Sequence, residues 1–397
     1  MKFAKRLDPI KPSATLAVTS KAKALKAEGH DVLSFAAGEP DFPTPEFVVE
    51  AMIDSARNGA TRYLPSLGLP ALRSAVAKTF TGIYGTDFAA ENIAVTCGGK
   101  HGLYNLFQAL VDPGDEVLIA SPYWVSYPAQ VRLAEGEPVI VPTRADEGFR
   151  WDAGDVAQAI TEKTVGIVIN SPSNPSGAVY DATTLNALAD LAVEHDLWII
   201  TDDIYSYITY DNVPFMSVLG LRPELKDRIF ILHGASKTYS MTGWRIGFVG
   251  APAAVIKKLG TLQGQSTSNA TAFAQYGALA AVESDHRFLE TWTAAYDERR
   301  RRIVSLLRDL PGVRCEMPGG AFYVFPDLRE LMGKSFRGEV IKDDLHLAQL
   351  VLEHKLVALV PGSPFGAPGF VRMSYACSMD DIEQGVARLQ EFVAELN

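Results

Sequence analysis

The sequence is poor in cysteine, with Cys97, Cys315 and Cys377 in 397 residues. These three are far apart and form no C-x-x-C pair, so we expect neither a disulfide framework nor a structural zinc site. No apolar run reaches the length of a membrane span, and none follows the basic residues of the first nine positions. We therefore expect neither a transmembrane helix nor a signal peptide, which favours a cytoplasmic protein.

An excess of positive charge is also missing. The sequence has 37 Lys and Arg residues and 47 Asp and Glu residues, which gives a net charge of −10. Nucleic acid and anionic membranes both attract a positive face, so neither is an expected partner. The run Arg299–Arg302 follows Asp297 and Glu298, which favours a solvated helix face over a nucleic-acid patch. A local pocket can still oppose the global charge and bind a small anion.

Several catalytic motifs are absent as well. No G-x-G-x-x-G follows the first predicted strand, and Gly333-Lys334-Ser335 lacks the upstream glycine of a phosphate-binding loop. The sequence has no H-E-x-x-H, no metal spacing among its seven histidines and no G-x-S-x-G. These absences count against dehydrogenases, kinases, metallohydrolases and serine hydrolases, and we predict no metal site.

Short apolar runs alternate with helical periods over much of the chain, which predicts an α/β protein with a mostly parallel seven-stranded sheet. The predicted strands are Ile93–Thr96, Val117–Ala120, Val139–Val141, Val165–Ile169, Leu197–Thr201, Ile229–Leu232 and Ile246–Val249. We assign residues 46–283 to this large domain. Residues 1–45 and 284–397 are assigned to a smaller α+β domain with an N-terminal segment, whose predicted strands are Ala321–Phe325, Val357–Val360 and Val371–Tyr375.

Ligands of open parallel sheets bind beyond the carboxyl ends of the strands, and polar residues follow these ends here. Gly98-Gly99 opens a helix and suits a phosphate, although a plain glycine turn has the same pattern. Trp124 can stack on an aromatic ring or belong to the core. Asp202 can pair with a protonated ring nitrogen or cap a helix. Tyr205 can donate a hydrogen bond to a ring oxygen.

Lys237 is the central candidate because it follows the strand Ile229–Leu232. A lysine desolvated among other cations there can have its pKa lowered from about 10.4 to about 7–8 and form a Schiff base with an aldehyde. Arg245 precedes the last predicted strand. If Arg245 reaches the same phosphate, that strand runs antiparallel to the others, and we expect it at an edge of the sheet.

Residues 234–247, GASKTYSMTGWRIG, resemble the cofactor-attachment signature of class I aminotransferases, enzymes that use pyridoxal 5′-phosphate. The resemblance covers nearly the whole chain and is closest to bacterial aspartate and aspartate/prephenate aminotransferases. Its supporting matches are GEPDF at residues 38–42, Tyr63, Tyr123-Trp124, NPSG at residues 174–177, Asp202 with Tyr205, FVRMSY at residues 370–375, KPSAT at residues 11–15 and Gly98-Gly99-Lys100.

The resemblance implies the fold-type I architecture of pyridoxal-phosphate-dependent transferases and a homodimer with shared active sites. It implies that Tyr63 reaches the phosphate of the neighbouring subunit's cofactor, and that Asn174 joins Tyr205 at the ring oxygen. Two positions depart from the pattern. Gly234 stands where some relatives have a phosphate-binding serine, and Ser176 stands where threonine is commoner.

For the substrate, the resemblance implies that Arg372 clamps the α-carboxylate and that Lys100 meets the side-chain carboxylate. A lysine at a helix start can equally lie on the phosphate or in solvent. The other positions that the resemblance assigns to the substrate pocket are Gly38, Trp124, Asn174, Ser13, Thr15 and Lys11, the last at a position linked to prephenate use.

We therefore expect an aminotransferase that moves an amino group from an L-amino acid, aspartate or glutamate, to a 2-oxo acid such as oxaloacetate, 2-oxoglutarate or prephenate. The alternatives are an aromatic or kynurenine aminotransferase, or a β-lyase, on the same scaffold. A non-enzymatic regulator would need an added DNA-binding domain, for which the N-terminus has no room.

Overall fold

The computed structural model describes residues 2–397 and contains fourteen strands among them. In chain order the strands are β1 (Leu33–Ser34), β2 (Ile93–Thr96), β3 (Glu116–Ser121), β4 (Glu137–Pro142), β5 (Thr164–Asn170), β6 (Trp198–Asp202), β7 (Ile229–Gly234), β8 (Gly247–Gly250), β9 (Tyr323–Val324), β10 (Ser335–Phe336), β11 (Glu339–Val340), β12 (Val357–Ala358), β13 (Val360–Pro361) and β14 (Val371–Ser374).

The described chain also contains fourteen α-helices. They are α1 (Ala14–Ala27), α2 (Glu46–Arg57), α3 (Pro70–Tyr84), α4 (Gly99–Leu110), α5 (Ser126–Leu133), α6 (Ala153–Ala159), α7 (Ala182–Glu194), α8 (Val218–Leu221), α9 (Ala235–Thr238), α10 (Ala253–Ser266), α11 (Ala272–Val282), α12 (Phe288–Arg308), α13 (Asp344–Lys355) and α14 (Met379–Ala394). Short 3-10 helices lie at Lys5–Leu7, Ala90–Asn92, Ala145–Glu147, Pro223–Arg228, Thr242–Trp244, Arg329–Leu331 and Ser363–Phe365.

The seven-stranded sheet has the order β2-β8-β7-β6-β5-β3-β4 and confirms all seven predicted strands. Strand β8 pairs antiparallel with both of its neighbours, as expected from the position of Arg245. The prediction of an edge position for β8 is wrong, because β2 lies outside it. Gly247 explains this placement, since a Cβ atom there would overlap the backbone of Gly98 and Gly99 at the end of β2.

The smaller sheets differ from their prediction in one respect. Strands β13, β14 and β9 form an antiparallel sheet, but the predicted strand Val357–Val360 is divided between two sheets. Its first half, β12, pairs in parallel with β1 of the N-terminal segment, and only its second half joins β14. The N-terminal segment therefore hydrogen-bonds to the C-terminal part of the chain.

Two buried apolar clusters, one on each side of the large sheet, contain most of the side chains of β2 to β8. A third cluster is built around α12, α14 and the short antiparallel sheet. Phe325, Val360 and Phe370 belong to a cluster of the large sheet although they lie outside residues 46–283. The division at residues 46–283 thus stays a prediction.

The segment before α2 is fastened to α12 by aromatic and ionic contacts. Phe42 stacks on Trp292 with ring centroids 4.9 Å apart, and Asp41 accepts a 2.9 Å hydrogen bond from Arg299. The prediction of a solvated arginine face is wrong for Arg300, which is fully buried and is bound by Asp211. The same segment contains Gly38, which lines a large cavity.

The structure contains no disulfide bond among its described residues. Cys97, Cys315 and Cys377 are all free thiols. Within residues 2–397, no helix is both long and apolar enough to cross a membrane.

Candidate active site

A cavity of about 440 Å³ opens at the carboxyl ends of the parallel strands and brings together most of the predicted site residues. The predicted residues that line it are Thr15, Gly38, Gly99, Lys100, Trp124, Asn174, Asp202, Tyr205, Lys237, Arg245 and Arg372. They come from α1, the N-terminal segment, the carboxyl ends of five strands of the large sheet, the turn before β8 and strand β14. The cavity therefore lies where the sequence predicted a ligand.

The lining of the cavity is strongly cationic although the whole chain is acidic. It contains five Lys and Arg side chains, at positions 23, 100, 237, 245 and 372, and two carboxylates, Glu39 and Asp202. None of the five cations has a carboxylate within 4.0 Å among the residues that the structure describes. An anionic ligand would supply the missing negative charge.

Lys237 lies in α9, directly after β7, and its Nζ donates a hydrogen bond to the carbonyl oxygen of Gly38. Burial, together with the positive charge of Arg372, lowers the pKa of this amine to about 8, although the charge of Glu39 opposes the shift. A pKa near 8 leaves a usable fraction of the amine uncharged at neutral pH. The amine is thus prepared to act as a nucleophile and as a base.

Asp202 ends β6 and is held by donors from two other elements. Tyr127 of α5 donates a 2.7 Å hydrogen bond to Oδ2, and the backbone N–H of Ile204 contacts Oδ1 at 3.3 Å. Burial raises the pKa of Asp202 to about 6, which these hydrogen bonds and the charge of Lys237 partly offset. The carboxyl group stays ionised at neutral pH and would be stabilised by a cation in the cavity.

The helix α4 begins at a glycine pair that leaves its first N–H groups accessible. Gly98 has φ = +86°, a conformation that favours glycine, and a Cβ atom there would overlap the guanidinium of Arg245. Arg245 is itself held by a 2.8 Å hydrogen bond to the carbonyl oxygen of Thr242. A helix N-terminus beside an unpaired guanidinium suits a phosphate group.

Arg372 in β14 is buried, and its guanidinium is only partly satisfied. Its two terminal nitrogens donate to Asn174 Oδ1 at 3.0 Å and to the carbonyl oxygen of Ala36 at 2.8 Å. Its Nε has no hydrogen-bond partner within residues 2–397. Arg372 also lines the cavity, so a carboxylate bound there can pair with its guanidinium group.

Two phenols meet beside this guanidinium. The hydroxyl groups of Tyr205 and Tyr323 are 2.8 Å apart, and the Arg372 guanidinium lies 4.6 Å from the ring centre of Tyr323. Both tyrosines are buried, and burial raises the pKa of each phenol. Both phenols therefore keep their protons at neutral pH and can donate hydrogen bonds.

Lys100 and Trp124 face each other across the entrance to the cavity. The Lys100 Nζ lies 5.0 Å above the Trp124 ring, a cation–π arrangement. Burial lowers the pKa of Lys100, and the charge of Arg245 lowers it further. On the opposite wall, α1 presents Thr15, whose hydroxyl is 2.9 Å from that of Ser13.

Four predicted site residues are not among those that line the cavity: Tyr63, Lys11, Ser13 and Gly98. Gly98 lies next to the guanidinium of Arg245, which does line the cavity, and the hydroxyl of Ser13 contacts that of Thr15. Tyr63 is 88% exposed. The predicted roles of Tyr63, Lys11 and Ser13 stay predictions. Within the described residues no group of three or more metal-ligating side chains comes together.

The sequence reasoning missed Tyr127 and Tyr323. Tyr127 lies only three residues after the predicted site residue Trp124. Nothing in the sequence, however, indicated its hydrogen bond to Asp202. Tyr323 comes from a short strand of the antiparallel sheet, far along the chain from Tyr205. No local pattern could bring these two phenols together.

The comparisons with known proteins agree with this site. Residues 30–389 match the family model "Aminotransferase class I and II". The aspartate aminotransferase of Geobacillus stearothermophilus is 46% identical and the "Probable aspartate/prephenate aminotransferase" of Aquifex aeolicus is 44% identical, each over 99% of both chains. The structure of the Thermus thermophilus aspartate aminotransferase with maleate matches with a TM-score of 0.93 and 41% identity, covering 99% of this chain and 100% of that one. The chain belongs to the class I and II aminotransferases and has the α/β fold, with a seven-stranded mostly parallel sheet, that its relatives share.

Proposed function

We propose that this enzyme is a pyridoxal 5′-phosphate-dependent aspartate aminotransferase. It would move the amino group of aspartate or glutamate to a 2-oxo acid such as oxaloacetate or 2-oxoglutarate. The observation that carries the proposal is the buried Lys237 amine, with its pKa of about 8, in one cavity with Asp202 and Arg372. Relatives that cover 99% of this chain at 44–46% identity are named aspartate aminotransferases.

The residues of the cavity fit pyridoxal 5′-phosphate. The glycine pair at the start of α4 and the unpaired guanidinium of Arg245 would hold the phosphate. Asp202 would accept a hydrogen bond from the ring nitrogen, and Lys237 would hold the aldehyde covalently. A serine in place of Gly234 would be crowded, because its Cβ would lie 3.1 Å from the Gly247 Cα. The nearby Ser236, which lines the cavity, can supply a hydroxyl in its place.

When bound, pyridoxal 5′-phosphate supplies an electron sink for the electrons that remain when the substrate Cα loses its proton. The protein provides the charge that keeps this sink effective. The ionised Asp202, supported by the Tyr127 hydroxyl, would keep a proton on the ring nitrogen. The hydroxyl of Tyr205 and the amide of Asn174 would donate to the ring oxygen. Asn174 is oriented for this, since its Oδ1 accepts from Arg372 and leaves its NH₂ free to donate.

Lys237 would also move the proton. Its lowered pKa would let the free Lys237 amine accept the proton from the substrate Cα. The carbonyl oxygen of Gly38 already accepts a hydrogen bond from this amine and would keep it near the reacting atoms. One side chain therefore serves as attachment point and as base.

The substrate carboxylates would bind at the two ends of the cationic cavity. Arg372 would bind the α-carboxylate through its guanidinium group, in a bidentate arrangement. Lys100, together with Thr15, would bind the side-chain carboxylate, and Ser13 would support Thr15 through the contact between their hydroxyl groups. The solved relative from Thermus thermophilus is described with maleate, which is itself a dicarboxylate.

Prephenate is a second candidate amino acceptor, because relatives of 41–44% identity are named aspartate/prephenate aminotransferases. Lys11 would take part, although it does not line the cavity of this chain. Turnover of glutamate with oxaloacetate, 2-oxoglutarate and prephenate, measured side by side, separates the acceptors. Release of keto acid without ammonia separates a transferase from a lyase.

The proposed enzyme is a homodimer with shared active sites. The exposed Tyr63 does not line the cavity of its own chain. Its phenol is therefore available to reach the phosphate bound by the neighbouring subunit.

Replacement of Lys237 by alanine tests the proposed function. We expect Lys237→Ala to lose turnover and the near-visible absorption of the attached cofactor, and to give no peptide labelled by borohydride reduction. Lys258→Ala in α10, an exposed lysine, should keep all three properties. A Lys237→Ala protein that stays coloured, reducible and active would overturn the proposal.

A further inference from the structure

The pair formed by Tyr205 and Tyr323 links the two sheets at the floor of the cavity. Tyr205 follows β6 of the large sheet, and Tyr323 opens β9 of the antiparallel sheet. Their hydroxyl oxygens are 2.8 Å apart, and both rings are almost fully buried. Within residues 2–397, Tyr205 is the only hydrogen-bond partner of the Tyr323 hydroxyl.

The direction of this hydrogen bond follows from counting protons. A phenol has one hydrogen to donate and can accept at its oxygen. Under the proposed function, Tyr205 gives its hydrogen to the ring oxygen of the cofactor. The hydrogen between the two phenols must then come from Tyr323.

We propose that Tyr323 is a positioning residue that donates its hydroxyl hydrogen to Tyr205 and thereby turns the hydrogen of Tyr205 towards the cofactor's ring oxygen. This inference rests on the proposed function, because it needs a ligand with an acceptor at that place. Tyr323 itself acts only through Tyr205.

The surroundings of the pair hold Tyr323 in the orientation that the inference requires. The Arg372 guanidinium lies over its ring, and a Cβ atom added to Gly38 would be 3.1 Å from its hydroxyl oxygen. The Tyr323 ring therefore packs against Arg372 and Gly38, with its hydroxyl next to that of Tyr205. Since hydrogen bonds in a chain polarise one another, donation by Tyr323 makes Tyr205 a stronger donor.

Charged groups face the pair from several elements. They are Asp202 in β6, Arg372 in β14 and Glu39 in the N-terminal segment, and Lys237 in α9 lines the same cavity. All four stay in place when the Tyr323 hydroxyl is removed. Replacement of Tyr323 by phenylalanine thus changes the donor to Tyr205 and leaves the charges of the site unchanged.

The experiment is a spectroscopic titration of the protein with bound pyridoxal 5′-phosphate. The colour change with pH reports loss of the proton from the link to Lys237, after which the negative charge on the ring oxygen is no longer balanced. A donor to this oxygen favours the deprotonated form. We therefore expect Tyr323→Phe to raise the pH of the colour change by roughly half to one pH unit, because the donor is weakened.

Tyr375→Phe is the matched control. Tyr375 is another buried tyrosine of the antiparallel sheet, and it donates to the hydroxyl of Tyr210 at 3.2 Å, away from the cavity. We expect its colour change to stay at the pH of the parent protein. In a Tyr205→Phe background, Tyr323→Phe should add no further shift, because the group through which it acts is gone.

The outcomes separate this inference from the proposed function. A coloured Tyr323→Phe protein whose transition is unshifted, or shifted to lower pH, overturns the inference and leaves the function intact. A shift of the same size in the Tyr205→Phe background also overturns it. A parent protein that forms no coloured complex overturns the proposed function itself.

Discussion

The proposed role of Lys100 is to select dicarboxylic substrates by its charge, and Lys100→Met isolates that charge. Methionine keeps the length and packing of the side chain against Trp124 but removes the ammonium group, whose nitrogen lies 5.0 Å above the indole ring. Lys100 has no carboxylate partner within residues 2–397, so the substitution breaks no ion pair. Its effect is then confined to the cavity and to the indole.

The magnitude follows from the two contacts that are lost. A hydrogen bond to a charged group contributes about 1.5–3 kcal/mol. Its loss should therefore lower kcat/KM for aspartate and glutamate roughly 10- to 150-fold. Loss of the cation–π contact costs about 0.5–1 kcal/mol and affects every substrate equally, so alanine should lose less than about sixfold. The ratio of the two losses therefore measures the contribution of the side-chain carboxylate.

Steady-state kinetics with aspartate, glutamate and alanine, together with the dissociation constant of pyridoxal 5′-phosphate, complete the assay. Lys226→Met is the control, because the Lys226 nitrogen lies 4.8 Å above the Phe88 ring at the surface and lines no part of the cavity. Equal losses for aspartate and alanine would refute the carboxylate role. A large loss of cofactor affinity would show instead that Lys100 lies on the phosphate.

Two further predictions concern the titrating groups of the site. Tyr127→Phe removes the 2.7 Å hydrogen bond that favours ionised Asp202, so the pKa of this carboxyl should rise above its value of about 6. On acidification, cofactor binding should then begin to weaken at a pH about one unit higher than in the parent protein. An unchanged pH profile of the dissociation constant would contradict the role of Tyr127. Because the pKa of Lys237 is about 8, the rate at which pyridoxal 5′-phosphate colours the cofactor-free protein should rise about tenfold per pH unit below pH 8 and level off near pH 9. A rate that still rises tenfold between pH 9 and pH 10 would show an ordinary lysine.

The large sheet could be predicted because its signal is local. Runs such as Ile93–Thr96 are buried on both faces, and the polar residues that follow each run reach one edge of the sheet, where Asp202 and Lys237 were expected. The antiparallel direction of β8 could be inferred as well, from the side on which Arg245 lies. Its interior position could not, because it depends on the close approach of Gly247 to the end of β2.

The rest of the site depends on contacts between distant parts of the chain. Tyr323 and Tyr205 are separated by 118 positions, and Arg372 and Asn174 by 198. Such pairs are set by how the antiparallel sheet packs on the large one, and hydrophobic periodicity carries no information about that packing. The family resemblance could supply Arg372 and Asn174, but it did not single out the phenol that supports Tyr205.

Strands β7 and β8 are antiparallel neighbours, so the twelve residues between them form a single closed turn, and this turn contains both Lys237 and Arg245. A ligand joined to the first and ion-paired with the second is a cross-link within one turn. Its binding energy is then also folding energy for that turn, because a ligand that binds only the folded state stabilises it by mass action. An inserted or deleted residue in this turn would therefore move Lys237 relative to Arg245 and cost both ligand affinity and stability.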